Sequence, residues 1–349
     1  MAAAILMVTS ALNPPDTPPL WREFICIFLA GGGALALAVL GFIALLDPYG
    51  LRAARPIMDS DQRFMYPQIA RSGAFDGAIF GTSTARLIDP RALGPVFGAR
   101  FANLAINAAT PYEQMRLAKL YLGATAPKAV LFALDGTWCE ADADRRRFTQ
   151  WTFPAWLYDG SPVAVLRQAN WQGLGIAAQG ALHRLGLVPE RIRGDGYAVF
   201  TPPEVTYDAA RAAAHIRAGA APADIPGFEV EAPMPALDWL DRLLAEMPRS
   251  AVALMTFMPV HVAAQGKPGT RLGAREAICK ARVAEIGRRF GATVVDFRIP
   301  SPVTTQDTNY WDALHYRLPV ADHIVVGLAA AQATGRDAED GFYRVLAHP

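Results

Sequence analysis

The sequence predicts an α/β protein with a sheet of five parallel strands, helices on both faces and one N-terminal transmembrane helix. Five short, nearly continuous apolar runs alternate with amphipathic helical patterns. Apolar runs of this kind are typical of strands buried on both faces, and their alternation with helices favours right-handed crossovers in a parallel sheet. A separate uncharged stretch has the length needed to cross a bilayer.

The N-terminal part of the chain predicts a tail, an anchor and a linker. Residues 1–20 contain the segment NPPDTPP and are expected to form a disordered tail. Residues 24–46 carry no charge, and Trp21 and Tyr49 flank them at interfacial positions. The stretch is long for a signal peptide and lacks a clear cleavage site. It is also apolar all round, which disfavours a buried core helix. An uncleaved anchor is therefore favoured. Residues 47–72 are expected to be a juxtamembrane linker.

The predicted strands share short length and nearly continuous apolar character. They cover residues 76–81, 99–106, 128–136, 250–260 and 292–299. Amphipathic helices are predicted over residues 111–124, 235–247 and 273–291.

The stretch 140–230 breaks this alternation and predicts an insertion that caps an α/β domain spanning residues 73–335. Residues 336–349 are expected to form a C-terminal tail. Large apolar residues early in the insertion are expected mainly in the core of the cap, with contact to the membrane or a membrane partner as the alternative. They are Trp151, Phe153, Trp156 and Leu157.

Composition excludes several classes of function. The formal net charge is +1, and no basic run with interleaved aromatic residues suggests a nucleic-acid groove. No H-E-x-x-H or comparable cluster is present, so neither a metal nor another cofactor is expected. Cys26, Cys139 and Cys279 are too few for a disulfide framework. A single Cys139–Cys279 bridge stays open, because separation in sequence does not give distance in space.

Candidate catalytic residues follow the first and fifth strands, and reacting groups gather at the carboxyl ends of the strands in a doubly wound sheet. Ser83 follows the first strand in GTST, while Asp312 and His315 lie in NYWDALHYR after the fifth. Residues three apart share a face on a helical turn, so the carboxylate can orient the imidazole that serves the serine as base. The alternative is that Ser83 and Asp312 cap helices and His315 is a surface histidine.

Further candidates lie near the same strand ends. Those for oxyanion or substrate binding are Arg86, Asn107, Ala108, Asp135 and Gly136. Asp135 could bind substrate or backbone amides, and Arg86 could bind an anionic substrate or form a salt bridge, which is commoner. His261, at the end of the fourth strand, is a second candidate base with no carboxylate near it in sequence.

These short blocks resemble those of the SGNH (GDSL-like) hydrolase superfamily over roughly residues 73–330, apart from the insertion. The segment GTS is similar to its nucleophile block, NLAINAAT to its second block and DALH to its Asp-x-x-His block. With the anchor, the chain is similar to the membrane-anchored branch, which includes alginate O-acetylation proteins and the D-alanyl transfer protein of teichoic acids. The resemblance implies a three-layer α/β fold with Ser83 as nucleophile, His315 as base and Asp312 as its orienting group.

The chain departs from that pattern at the expected oxyanion hole. Ala108 stands where the second block usually has glycine, and the third block reads LDGTWC without its usual asparagine. The backbone amides of Ser83 and Ala108 are expected to bind the oxyanion, with Asn107 or the amide of Gly136 as the substitute donor. An α/β-hydrolase is the nearest rival fold, but its G-x-S-x-G elbow needs glycine where Ala85 stands.

The resemblance implies a membrane-anchored serine acyl-esterase or O-acyltransferase without a cofactor. It is expected to carry acetyl and to act on an exported polysaccharide or cell-envelope glycan, beside a multi-spanning MBOAT-type acyltransferase. The alternative is a catalytically weak accessory or glycan-binding subunit of such a complex. The resemblance implies a single-pass protein of the cytoplasmic (inner) membrane with a periplasmic domain. The charges favour the opposite orientation, because Arg22 alone precedes the span whereas three arginines follow it. They are Arg52, Arg55 and Arg63.

Overall fold

The computed structural model describes residues 20–52, 61–142, 153–160, 164–222 and 229–349. The strands in these ranges are β1 Gly77–Phe80, β2 Phe101–Asn103, β3 Ala129–Leu134, β4 Val252–Phe257, β5 Thr293–Asp296 and β6 Arg344–Ala347. The helices are α1 Leu20–Leu46, α2 Gln62–Arg71, α3 Pro90–Phe97, α4 Pro111–Ala124, α5 Ala164–Arg167, α6 Trp171–Arg184, α7 Ala209–Ala218, α8 Pro235–Glu246, α9 Arg271–Phe290 and α10 Leu318–Thr334. The expected tail 1–20 lies outside the described residues except for residue 20. Trp151 also lies outside them.

The strands form one mixed sheet in the order β2-β1-β3-β4-β5-β6. β1 to β5 pair in parallel, whereas β6 pairs antiparallel with β5. The α/β class and the five predicted strands are confirmed, but the prediction of a purely parallel five-stranded sheet was wrong. The sixth strand lies in the segment 336–349, expected to be a tail, where four residues on a sheet edge are too few to show a clear period.

The parallel strands are largely apolar because both faces of the sheet are covered. Every residue of β1 and β3 is buried. Successive side chains point to opposite faces, so Phe80 and Phe132 pack in one apolar cluster with ring centroids 5.6 Å apart, while Ile79 and Leu131 pack in the other. This arrangement produces the continuous apolar runs seen in the sequence.

The strand order locates the crevice where a site can form. The order 2-1-3-4-5 is a doubly wound one, in which the winding direction reverses between β1 and β3. Loops at the carboxyl ends of strands diverge at such a switch point and leave a crevice. Ser83 follows β1 at that edge of the sheet.

The helix α1 is long and apolar enough to span a membrane, and its apolar window is not buried against the rest of the chain. Its C-terminal end leads directly into the folded domain. Tyr49 is fully buried, and its ring centroid lies 5.8 Å from that of Phe64 and 5.3 Å from that of Trp156. Arg71 donates a hydrogen bond of 3.3 Å to the carbonyl oxygen of Tyr49. The helix and the domain are therefore joined by packing as well as by sequence.

The segment 47–72, expected to be a linker, contains the helix α2, which packs against α4. The Arg63 side chain donates to both carboxylate oxygens of Glu113, at 2.8 and 2.9 Å, and both residues are buried. The helix is not evident in the sequence because Pro67 interrupts the pattern and a buried arginine resembles a surface one. This first part of the domain therefore begins before residue 73.

The described residues of the insertion 140–230 hold α5, α6, α7 and short turns, and add no strand to the sheet. Phe153 and Leu157 are buried, and Trp156 packs on Tyr49, so these three lie in the core beneath the cap.

Both ends of the insertion are attached to α9. Cys139 and Cys279, a pairing that the sequence left open, form a disulfide. The buried Arg275 donates to the carbonyl oxygens of Cys139 (2.9 Å), Val230 (2.9 Å) and Pro233 (3.0 Å). One covalent bond and one guanidinium group thus hold the entry and the exit of the insertion together.

Candidate active site

Ser83 lies in a 3-10 turn that follows β1 after Gly81 and Thr82. The turn packs tightly on β3: a Cβ atom at Gly81 would lie 2.9 Å from the Cβ atoms of Ala133 and Ala85. Glycine is therefore required for the chain to turn this closely. The side chain of Ser83 remains half-buried at the carboxyl edge of the sheet.

Asn103, the last residue of β2, holds this turn in place. Its fully buried carboxamide nitrogen donates to the carbonyl oxygens of Ala85 and Ile88, both at 2.9 Å, and its oxygen accepts from the Ala105 amide at 3.0 Å. In the sequence, Asn103 was noted only as the first residue of the segment NLAINAAT. Its role could not be found there, because the carbonyl oxygens that accept from its side chain lie upstream in a different loop.

The structure brings together Ser83, His315 and Asp312. The Ser83 Oγ lies 2.9 Å from the His315 Nε2, and the His315 Nδ1 lies 2.8 Å from the Asp312 Oδ2. Because an ionised carboxylate only accepts, the Nδ1 carries the proton and the Nε2 is free to accept from the serine hydroxyl. This is the relation of nucleophile, base and orienting group that acyl transfer through serine requires.

Asp312 is held in its charged form. Burial acts to raise the pKa of its carboxyl group, but the hydrogen bond from His315 and the charge interaction with it outweigh burial, and the pKa falls below its ordinary value. The backbone amides of Leu314 (2.8 Å) and His315 (2.9 Å) also donate to Oδ1. Asp312 therefore caps its own turn, as the alternative hypothesis from the sequence predicted, and it also orients the imidazole.

A short bridge fixes the distance between the histidine and the serine turn. Tyr310 and Tyr316 form an isolated antiparallel β-bridge, and the Trp311 amide donates to the His315 carbonyl oxygen at 2.8 Å. The hydroxyl of the buried Tyr316 donates to the carbonyl oxygen of Thr84. The neighbours of the base and of the serine are thus bonded directly to each other.

Phe200 contributes a wall of the site from within the insertion. Its ring meets the His315 ring edge to face with centroids 5.5 Å apart, and the Arg86 guanidinium lies 4.7 Å from the centre of the same ring. No signal in the sequence pointed to Phe200, because it comes from a segment without a motif. The insertion therefore reaches the triad itself.

Arg86, which is buried, and Asn107, which is half-buried, form a hydrogen-bonded pair near the triad. The Arg86 Nη1 lies 3.0 Å from the Asn107 Oδ1, and Arg86 is only 4% exposed. Arginine can only donate, so this contact fixes which way the carboxamide points. The Asn107 Nδ2 then has no acceptor among the described residues and is a free donor. Arg86 is therefore not a solvated residue, and it forms no salt bridge with any residue that the structure describes.

Ala108 has a left-handed backbone with φ of 48°, a conformation that glycine adopts far more readily. Its carbonyl oxygen accepts a hydrogen bond of 3.2 Å from the Arg63 Nη2, which is anchored by the pair with Glu113. In the part of the chain that the structure describes, the backbone N–H groups of Ala108 and Ser83 have no acceptor. Two free amides therefore occur at the ends of the two neighbouring strands.

Asp135 and Gly136 lie apart from these contacts. The Asp135 Oδ1 accepts from the Thr137 amide at 2.9 Å and from the Thr137 hydroxyl, which makes it the cap of a 3-10 turn. A Cβ at Gly136 would lie 3.7 Å from the Arg298 guanidinium. Within the described ranges neither residue has a hydrogen bond to the triad, so the alternative of backbone capping describes Asp135.

His261, the second candidate base, has a different partner. Its Nδ1 accepts from the Ala263 amide at 3.2 Å, and its Nε2 lies 3.1 Å from Asp307, a carboxylate distant in sequence. The described residues give it no hydrogen bond to Ser83, and it caps the turn that follows β4. His315 is the base that the geometry supports.

The described residues contain no group of three or more His, Cys, Asp or Glu side chains arranged to hold a metal ion. No protein-family model matches the chain, and no curated protein matches it.

Proposed function

We propose that this chain is a membrane-anchored serine acyl-esterase or O-acyltransferase with Ser83 as its nucleophile. The observation that carries the proposal is the hydrogen-bonded series Asp312, His315 and Ser83 at the switch point of the sheet. A serine hydroxyl is a weak nucleophile until a base accepts its proton. A serine that only capped a helix would direct its oxygen at backbone amides, whereas the Ser83 oxygen faces an imidazole nitrogen.

The first half-reaction forms an acyl-enzyme. The Ser83 Oγ attacks the carbonyl carbon of an acyl ester or thioester while its proton passes to the His315 Nε2. Asp312 stabilises the imidazolium that results. When the bond to the leaving alcohol or thiol breaks, His315 returns the proton to it, and the acyl group remains on Ser83.

The second half-reaction releases the acyl group. A hydroxyl of the acceptor, or a water molecule, gives its proton to His315 as its oxygen attacks the acyl carbon. The Ser83 oxygen then leaves and takes that proton back, which restores the free enzyme. Transfer and hydrolysis share the acyl-enzyme and differ only in the acceptor.

Three donors are available for the oxyanion that forms in each half-reaction. The free amides of Ser83 and Ala108 supply two, and the Asn107 Nδ2, held by Arg86, supplies the third. Removal of a single such donor lowers turnover about 10² to 10³-fold in other serine enzymes. Asn107 thereby takes the part of the asparagine that the third block lacks.

The proposal places the domain on the periplasmic side of the cytoplasmic membrane. A disulfide between Cys139 and Cys279 supports this side, because such bonds persist in oxidising compartments. The anchor would be α1, with one crossing. From the resemblance, the acyl group is proposed to be acetyl and the acceptor an exported polysaccharide, with the acyl group supplied by a multi-spanning acyltransferase.

The test is labelling of the purified full-length protein with a fluorophosphonate, which reacts only with activated serines. Wild type is compared with Ser83→Ala and His315→Ala, and with Ser250→Ala, which removes an exposed serine on a loop. Labelling should persist in wild type and Ser250→Ala and vanish in the other two. Absence of labelling in a folded wild type would instead favour the accessory, glycan-binding alternative.

A second measurement separates transfer from hydrolysis. The protein is incubated with p-nitrophenyl acetate, and the peptide carrying Ser83 is examined by mass spectrometry for an added acetyl group. Adding an oligosaccharide should divert acetyl from water to the sugar if the protein is a transferase. Unchanged release of acetate would identify an esterase.

A further inference from the structure

The insertion exposes several large apolar side chains on α5, α6 and the turn that follows. We call this surface the outer cap face; its residues are Val165, Leu166, Trp171, Leu182, Leu185 and Leu187. Trp171 is 86% exposed and Leu166 is 75% exposed. Residues of this size are usually buried, so a group of them exposed within one short segment indicates a contact.

The geometry of α6 separates this surface from the core. With 3.6 residues per turn, Trp171, Leu182 and Leu185 fall on one side of the helix. Ile176 and Ala177 are buried on the opposite side, against the rest of the domain. The outward residues are therefore not needed to fasten the helix to the domain.

The outer cap face begins beside the end of the apolar helix α1. α6 contacts α1 directly, and a Cβ at Gly173 would lie 3.5 Å from the ring of Tyr49, which follows α1 in the chain. Leu45, near the end of α1, is itself 72% exposed. If α1 crosses a bilayer, Trp171 lies near the level at which the chain leaves it.

The charges of this segment are of one sign. Residues 164–189 contain Arg167 and Arg184 and no aspartate or glutamate. Exposed apolar side chains with tryptophan and arginine among them are typical of helices that lie in the interface of a membrane with anionic lipids.

We propose that the outer cap face is a second membrane contact, inserted among the lipid headgroups next to α1. The inference rests on the membrane anchorage in the proposed function and adds a partner, the lipid surface, to it. Two contacts instead of one would fix the tilt of the domain. Phe200 belongs to the same insertion, so the wall of the active site would keep a constant orientation to the membrane.

The test uses the full-length protein in nanodiscs of phosphatidylethanolamine and phosphatidylglycerol, with and without nitroxide-labelled lipid. An environment-sensitive fluorophore is attached to Trp171→Cys in a Cys26→Ser background. The matched control is Val326→Cys in the same background, an exposed apolar position on α10, which covers the other face of the sheet. Wild type labelled at Cys26, the exposed free cysteine within α1, reports on the anchor.

The label at position 171 should lose most of its emission in the presence of nitroxide lipid, while the label at position 326 should not change. Equal behaviour of the two, with the Cys26 label quenched, would overturn the second contact and leave the anchor intact. That result would point to a protein partner at this surface. Absence of quenching at Cys26 would overturn the anchorage and the inference with it.

Discussion

Replacing Asp312 with asparagine tests whether Asp312 orients His315, and it changes the shape of the side chain very little. The carboxylate accepts from the His315 Nδ1 at 2.8 Å and from the amides of Leu314 and His315 at 2.8 and 2.9 Å. An asparagine oxygen can keep the two amide bonds, so the turn should remain folded. Its NH₂ group would then face the Nδ1 and donate to it, which moves the imidazole proton to the Nε2.

That change of tautomer removes the base. The Nε2 of His315 would present a proton to the Ser83 Oγ across the 2.9 Å contact and could no longer accept one. We expect turnover to fall about 10⁴-fold, the size of the effect found for the same substitution in a serine protease triad. The predicted loss is therefore much larger than a weakened hydrogen bond would cause, since about 1.4 kcal/mol corresponds to only tenfold.

The assay is the initial rate of fluorophosphonate labelling for wild type and Asp312→Asn at neutral pH, with thermal unfolding recorded for both. A folded Asp312→Asn variant that labels within about tenfold of wild type would refute the assignment of Asp312 as the orienting group.

The lowered pKa of Asp312 also predicts how the stability of the protein changes with pH. That pKa is lower in the folded protein than the ordinary value of about 3.9, so the contribution of Asp312 to stability is present above that value. The contribution is lost as the pH falls through the lowered folded pKa. In urea titrations from neutral to acid pH, wild type should lose more stability than Asp312→Asn over this range. Parallel curves would contradict the assigned hydrogen bonds.

Three further predictions concern other parts of the site and fold. Asn107→Ala should lower acyl-enzyme formation about 10²-fold, and a change below about threefold in folded protein would exclude it as an oxyanion donor. Replacing Cys139 and Cys279 together with serine should lower the free energy of unfolding by about 4 kcal/mol, because the bridge closes a long loop; a variant as stable as wild type in urea would contradict this. Arg63→Met leaves Glu113 buried without its cation and should cost about 3–5 kcal/mol, whereas Arg63→Met with Glu113→Gln should cost less than the two single changes added together.

The sequence predicted the five parallel strands because burial on both faces leaves a continuous apolar pattern that short windows detect. Ser83, Asp312 and His315 could be nominated because turns at strand ends concentrate reacting groups and because DALH sets its two residues at a useful spacing. Whether the three side chains lie in contact could not be decided from the sequence, because Ser83 and His315 are far apart along the chain.

The features that the sequence did not reveal depend on contacts between distant segments. The edge strand β6 is too short to show a period, and α2 carries a buried arginine whose partner Glu113 lies in another helix. Phe200 has no motif around it, although its ring contacts both His315 and Arg86. Asp135 looked like a site residue, yet its carboxylate is used by the turn that it begins.

The attachment of both ends of the insertion to α9 has a consequence for how this protein can vary. A loop whose ends are already held together loses little entropy by growing, since the cost of closure rises only with the logarithm of length. The disulfide and Arg275 provide that closure outside the triad. The outer parts of the insertion can therefore change in length and surface at little cost in closure entropy, provided that the segment carrying Phe200 still reaches His315.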